Sequence, residues 1–284
     1  MERNQYTLKQ AVSCEGVGLH SGEPVTMTIR PAEAGTGIVF RRTDLSGHPE
    51  IPASPACLSG TNRATTLGRG GARVTTIEHV LSALYALHVD NCVIELDREE
   101  PPVGDGSAAV FVGMVRKAGL AEQAAPMEVF SLPRSAAAYE DGKFVAALPY
   151  EGLRITYTSV NAHPMLGTQM LDVTLTPETY EREIASARTI GFTWELEALR
   201  KMGLARGGTT DNAVVYSEEG CLSVPRYPDE LVRHKILDIL GDISLVGPIH
   251  AHIIAFMGSH RLNGMLSEQI LAMKSEHHGR VNVE

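Results

Sequence analysis

Cysteine is scarce in this 284-residue chain. Its four cysteines, Cys14, Cys57, Cys92 and Cys221, form no Cys-x-x-Cys pair and lie far apart. That spacing predicts reduced thiols, with neither a disulfide framework nor a cysteine-rich structural zinc site. Positive charge is also short: 25 Lys and Arg face 34 Asp and Glu, for a formal net charge of -9. Gripping a phosphate backbone takes clustered Lys and Arg, so no nucleic-acid partner is expected, although a local basic spot could still hold one pyrophosphate. No apolar run approaches the ~20 residues of a membrane span, so no transmembrane segment is expected. The stretch Met1 to Gln5 is polar and reads as no secretory signal, which makes the cytoplasm the expected location. Low-complexity tracts and short-period repeats are missing too.

What is present suits a globular protein. Hydrophobic residues make up 43% of the chain, enough for a core that needs no metal merely to fold. The length allows one large or two ordinary domains. Val25, Met27 and Ile29 alternate with polar residues, the period of a half-buried strand, and Ile38 to Phe40 reads as another. Ser46 to Pro55 reads as a loop. Ile77, Val80, Leu81, Leu84 and Leu87 fall at helical spacing, with Thr75 or Thr76 as N-cap. A buried strand from Cys92 to Leu96, a rigid turn from Pro101 to Ser107 and a helix from Ala108 to Ala118 follow. Ala121 to Pro133 is the candidate boundary, dividing the chain into 1–125 and 126–284. The pattern then repeats. Strands are expected near 143–148, 153–158, 170–175 and 249–257, and helices near 233–240 and 262–274. Each half reads as a sheet covered by two helices.

Two short motifs carry chemistry. In a helix, residues four apart share a face, so His234, Asp238 and Asp242 stack along one side. A histidine and a carboxylate so placed can reach one metal ion. Zinc accepts imidazole nitrogen and carboxylate oxygen, and catalytic sites use three protein ligands with a fourth position for water. His79 is the natural third ligand, and its neighbour Glu78 would then stand beside the water as general base. A lone His-x-x-x-Asp is more often a surface polar pair, so spacing by itself leaves both readings open. The other histidines divide similarly. His250 and His252 face one side of a strand, where solvent is the commoner neighbour. His277 and His278 read as solvated tail residues, and His48 and His88 as loop and helix-end residues. His260 follows the last strand, where α/β-type proteins often place functional groups.

The motifs, taken in order along almost the whole chain, resemble the family of UDP-3-O-acyl-N-acetylglucosamine deacetylases, the zinc enzymes of lipid A synthesis. The matching segments begin with Gly16 to Gly22, Thr75 to Leu84, Asp90-Asn91 and Gly104 to Ala108. They continue through Ala187-Arg188-Thr189, Gly207-Gly208, Asp211 to Val215, Val232 to Asp238, Gly241-Asp242 and Gly258 to Asn263. The resemblance implies an α+β fold of two similar domains, each a β-sheet packed with two helices, with the active site between the helix layers. It implies a small insert in each domain, the second at about 192–224 and forming a passage for a fatty acyl chain. Phe192, Trp194, Leu196, Leu199, Met202, Leu204, Val214 and Val215 would supply its walls, with an amphipathic helix from Trp194 to Met202. Zinc ligands would be His79, His234 and Asp238, and the general base Glu78. His260 would be a cationic partner for the oxyanion or leaving amine, oriented by Asp242, with Thr189 donating to the oxyanion. Lys235 would meet the charged part of an acylated UDP-N-acetylglucosamine, and Phe192 and Ile190 would contact substrate. No oligomer is required. Ile190 stands where many members have Phe, and Tyr227 and Leu231 where Phe is frequent, which bears on substrate contacts. Iron suits the same ligands as zinc. The rival expectations are a zinc amidohydrolase for another N-acyl sugar or peptide amide, and a non-catalytic nucleotide-sugar binder.

Overall fold

A computed structural model describes residues 3–281, with side chains through His277; the expectations for Met1, Glu2 and the His278 side chain lie outside it. The chain opens with β1 (Arg3–Leu8), then β2 (Val12–Val17), β3 (Pro24–Pro31), β4 (Ile38–Arg42) and β5 (Glu50–Pro52). A small antiparallel sheet follows, made of β6 (Leu58–Gly60), β7 (Thr66–Arg69) and β8 (Ala72–Thr75). Next come α1 (Glu78–Ala86), β9 (Cys92–Leu96) and α2 (Ala109–Ala118). β9 slots between β3 and β4, antiparallel to the first and parallel to the second, giving the order β2-β3-β9-β4-β5.

β10 (Leu120–Met127) returns to pair antiparallel with β1, and β11 (Phe130–Ser131) leads out of it. The expected boundary at 125/126 falls inside β10. The same plan then recurs. β12 (Ala136–Glu140), β13 (Lys143–Leu148), β14 (Leu153–Val160) and β15 (Thr168–Thr174) come first, followed by α3 (Pro177–Glu183). A second excursion holds β16 (Ile190–Phe192), α4 (Leu196–Lys201), β17 (Val214–Ser217) and β18 (Gly220–Cys221). The chain closes with α5 (Glu230–Ile243), β19 (Ile249–Phe256) and α6 (His260–Val281). β19 slots between β13 and β14 with the same senses as β9, giving β12-β13-β19-β14-β15, and β11 runs parallel to it. The α+β expectation holds, with the same order of strands in both sheets.

Burial explains the layering. Along β19 every second residue is buried, so Ile249, Ala251, Ile253 and Ala255 face the helices while His250 and His252 face outward. His252 bonds Thr156 there and takes no part in the cleft. α1 and α5 pack on each other between the sheets, with α2 and α6 beside them. The crossing is close because Gly241 of α5 lies on the backbone of Glu78: a Cβ at this glycine would sit 2.1 Å from the Glu78 carbonyl oxygen.

Three expectations need correction, and one helix was unforeseen. The Ser46–Pro55 stretch contains the strand β5, whose Ile51 is fully buried against the core. Neither Thr75 nor Thr76 caps α1; Ile77 occupies that position without a side-chain bond. Thr76 instead takes a left-handed backbone (φ 57°) and donates its hydroxyl to Glu100 Oε1 at 2.8 Å. The Trp194–Met202 helix is split into a 3₁₀ turn, Thr193–Glu195, and α4. α3 was not foreseen; its Pro at N1 and the Thr176–Thr179 capping box specify it locally, but it is too short to show a periodic apolar stripe.

Replacing Gly241 with Ala should force α1 and α5 apart. Overpacking of this kind typically costs about 1–3 kcal/mol. A lowered Tm is expected, and an unchanged Tm would mean that the crossing has slack.

Candidate active site

The site lies where the N-terminal turn of α1 meets the middle of α5 and the start of α6. α1 presents Glu78 and His79, α5 presents His234, Asp238 and Asp242, and α6 begins at His260. Opposite helix faces are anchored by core residues such as Ile236, Leu240 and Leu84, so the polar side is held in place by apolar packing on the other. His79, His234 and Asp238 are each less than 5% exposed. Their candidate ligand atoms all lie within 4.8 Å of one another. His234 Nε2 is 3.3 Å from Asp238 Oδ1, and His79 Nε2 is 3.8 Å from the same oxygen. The two imidazoles meet edge to face with centroids 5.0 Å apart.

The hydrogen bonds around these groups leave the inward atoms bare. His234 Nδ1–H donates to the Ala187 carbonyl at 3.1 Å, which leaves Nε2 as a lone pair pointing inward. Lys235 Nζ donates to Asp238 Oδ2 at 2.7 Å. Asp238 Oδ1 is buried with no hydrogen-bond partner at all. A buried carboxylate oxygen left unsatisfied is costly, and a cation between it and the two imidazoles removes that cost. The three residues therefore fit a divalent metal, with the mixed nitrogen and oxygen donors that zinc accepts.

Charge tuning follows from the burial. Burial pushes His79 down to about 3, helped by neighbouring His234, so its ring is neutral. His234 is lowered too, by burial first, against the pull of Asp238. Burial would raise Asp238, but His234 and Lys235 outweigh it and hold the group well below the usual carboxylate range. Burial would lower Lys235, but the carboxylate of Asp238 raises it. Two neutral imidazoles and one carboxylate are the protonation states a metal requires.

Beside this trio stands a second group. Burial pushes Glu78 up to about 7, against the pull of His260. Burial would depress His260, but Asp242 and Glu78 overcome it and raise the imidazole to about 9. His260 Nδ1–H donates to Asp242 Oδ2 at 2.8 Å, and its Nε2 stands 3.9 Å from Glu78 Oε1. Asn263 Nδ2 donates to the same Asp242 oxygen at 2.8 Å. At neutral pH this is a carboxylate poised to take a proton next to an imidazolium poised to give one.

The cleft in front of these groups measures about 400 Å³. Thr189, Ile190, Phe192 and Lys235 all line it. Thr189 is held by its backbone, its N–H donating to Gly106 O and its carbonyl accepting from Val214 N, both at 2.8 Å. Ile190 and Phe192 also back onto a separate small core of Leu166, Val214, Tyr216 and Leu231. Of the expected passage residues, Leu196, Leu199 and Val215 line the cleft beside Phe192, whereas Trp194, Met202, Leu204 and Val214 do not. Trp194 stacks on Phe192 at 4.8 Å and is 48% exposed. Tyr227 lies away from the cleft, under the Arg233 guanidinium.

The sequence pattern of UDP-3-O-acyl N-acetylglycosamine deacetylases matches residues 5–272. The chain belongs to this family. Relatives named UDP-3-O-acyl-N-acetylglucosamine deacetylase include one from Myxococcus xanthus, 44% identical over 272 residues, covering 95% of this chain and 87% of the relative. One from Nitratidesulfovibrio vulgaris is 44% identical, covering 92% and 85%. One from Oleidesulfovibrio alaskensis is 43% identical, covering 92% and 86%. The chain is thus a hydrolytic enzyme of a deacetylase family whose members span essentially its whole length.

Sequence reasoning missed several groups that touch the site. Thr65 donates its hydroxyl to Asp242 Oδ1 and its backbone N–H to Glu78 Oε2. His20 and Arg63 line the cleft from the first half, and Arg63 Nη1 reaches Glu195 Oε2 across it at 3.0 Å. His20 lies in a quoted Gly-rich segment, which was its only signal. Thr65 had none, because its partners lie 13 and 177 residues away.

Replacing Asp242 with Asn should lower the His260 pKa, because its carboxylate is the strongest influence raising it. In the wild type the imidazolium persists up to about pH 9. In the variant it should deprotonate at lower pH, as followed by the histidine NMR titration. An unmoved titration would show that Asp242 does not hold the charge.

Proposed function

We propose that this protein is a zinc-dependent, cytoplasmic deacetylase. It hydrolyses the N-acetyl group of UDP-3-O-(3-hydroxyacyl)-N-acetylglucosamine to the free amine and acetate, the committed step of lipid A biosynthesis. The observation that carries the reading is the unpartnered, buried Asp238 Oδ1 facing His79 and His234, with Glu78 adjacent. The names of the relatives supply the substrate. Among the described residues no helix is long and apolar enough to cross a membrane, which is compatible with an enzyme that meets its lipid-like substrate from the aqueous side.

His79 Nε2, His234 Nε2 and Asp238 Oδ1 would hold the metal. When bound, the cation supplies Lewis acidity, polarising a carbonyl and easing the ionisation of water. Glu78 takes the proton of the attacking water, a role its pKa near neutrality suits. Protonated His260 faces the negative charge that develops on the acetyl oxygen, and Thr189 adds a hydroxyl donor from the cleft wall. The C–N bond then breaks, and the nitrogen leaves as an amine after receiving a proton from the Glu78–His260 pair. Lys235, neighbouring the trio on α5, offers its ammonium to the charged part of the substrate. Leu196, Leu199, Phe192 and Val215 offer an apolar wall to the acyl chain.

Metal analysis combined with a deacetylase assay on the acylated UDP-sugar tests this reading. Zinc near one equivalent and release of acetate are expected. Equal turnover of acylated and unacylated UDP-N-acetylglucosamine would point to a broader N-acyl-sugar hydrolase, and no turnover at all to a binding protein. His79→Ala, His234→Ala and Asp238→Ala should each lose the metal while the fold persists. Full metal occupancy in any of them would remove that residue from the ligand set. Glu78→Ala should keep the metal and lose about 10²–10⁴-fold in rate, the usual contribution of a general base. In kcat/KM, activity should rise as Glu78 deprotonates and fall as His260 loses its proton towards pH 9. A hydroxamate bearing an alkyl tail should bind more tightly than a tailless one, by roughly 0.8 kcal/mol per buried CH₂. Equal potency would remove the case for an acyl wall.

A further inference from the structure

We infer that Thr65 is a positioning residue for this reaction, fixing the gap between the carboxylate that takes a proton and the imidazolium that gives one. The inference rests on the deacetylase reading for its activity test, and on geometry alone for the role.

Thr65 lies in the loop between β6 and β7, immediately before β7, and is 1% exposed. It touches all three members of the proton-handling group. Its hydroxyl donates to Asp242 Oδ1, and the hydroxyl oxygen lies 3.4 Å from His260 Nδ1. Its backbone N–H donates to Glu78 Oε2 at 3.1 Å. No other residue among those described bonds both Glu78 and Asp242. The three contacts therefore tie the α1 carboxylate, held by the backbone N–H, to the α5–α6 pair, held by the β-branched side chain, through one residue.

The division of oxygens is informative. Asp242 Oδ2 is taken by His260 and Asn263, and Oδ1 by Thr65, so the carboxylate cannot rotate without breaking bonds. The imidazole, held at Nδ1, must then aim Nε2 outward. On the other side, Thr65 N–H occupies Glu78 Oε2 and leaves Oε1 free. The two free atoms, Glu78 Oε1 and His260 Nε2, face each other at 3.9 Å. That distance is too long for a direct hydrogen bond. A direct pair would tie up the proton acceptor with the proton donor, and Thr65 prevents it by anchoring the far end of each.

The hydroxyl and the backbone N–H make separable predictions. Thr65→Val keeps the shape, the β-branch and the N–H to Glu78 but deletes the bond to Asp242. Thr65→Ser keeps the hydroxyl and loses only a methyl group. In the metal-loaded protein acting on acylated UDP-N-acetylglucosamine, Thr65→Val should lower kcat by about 10–100-fold, since misplacing a reacting group by about 1 Å can cost about 10²-fold. KM should stay within about twofold, and metal content should stay at the wild-type level. Thr65→Ser should restore most of kcat. In metal-free, ¹⁵N-histidine-labelled protein, the hydrogen-bonded Nδ1–H signal of His260 should be present in wild type and Thr65→Ser, and shifted or broadened in Thr65→Val.

Wild-type kcat in Thr65→Val, or an unmoved His260 signal, would overturn the inference. So would a Thr65→Ser variant as impaired as Thr65→Val, because the methyl packing would then be what matters. If the wild-type protein fails to deacetylate this substrate, the proposed function fails, while the His260 signal still decides the role of Thr65.

Discussion

The close crossing of α1 and α5 is the constraint on which the rest depends. Gly241 lets the α5 backbone rest on the carbonyl of Glu78. Only at that separation can His79, from one helix, approach the oxygen of Asp238, from the other, to 3.8 Å. A methyl group at the crossing would separate the two sources of the ligand set. The glycine is thus a functional residue that never touches substrate, and its effect passes entirely through helix spacing.

The same crossing explains the electrostatics. The two helices and α6 close around the polar groups so tightly that burial is the largest single influence on Glu78, His79, His234, Asp238 and His260 alike. What differs is the neighbour. At His79 burial and the second imidazole outweigh the nearby Asp238 carboxylate and the pKa goes down, whereas at His260 the carboxylates of Asp242 and Glu78 outweigh burial and it goes up. Two histidines in one buried cluster thereby take opposite charge states, one neutral as a metal ligand must be, the other charged as a proton donor must be.

These facts show what the chain's sequence could and could not reveal. His234 and Asp238 were legible because a helix converts a spacing of four into a shared face, and the apolar residues between them fixed that face. The repeated sheet-and-two-helices plan was legible because each half carries the same alternation of periods. Glu78-His79 has no spacing partner of its own, so the residues alone offered it only as a complement to His234 and Asp238, and the family resemblance gave it its expected roles. Thr65 was invisible, since its value lies in contacts across 177 residues and a lone threonine before a short strand carries no pattern. α1 was given the wrong cap because Thr76 resembles a helix-starting residue, yet the fold spends its hydroxyl on Glu100. Glu100 in turn accepts from His20 N, Ser21 N and the Ser21 hydroxyl, so one buried carboxylate ties the His20 loop to the entrance of α1.

The duplicated topology carries a consequence for inheritance. Both halves share one strand order and one placement of the central helix, yet their contributions are unequal. α1 brings one candidate ligand and the candidate proton acceptor, while α5 and α6 bring two candidate ligands and the candidate proton donor. The symmetry therefore belongs to the scaffold and stops at the chemistry. A change in one half can be offset only by a change in the other, across the helix crossing, because neither half contains a complete set. The two halves share one strand order, yet the cluster between them is complete only when both are present.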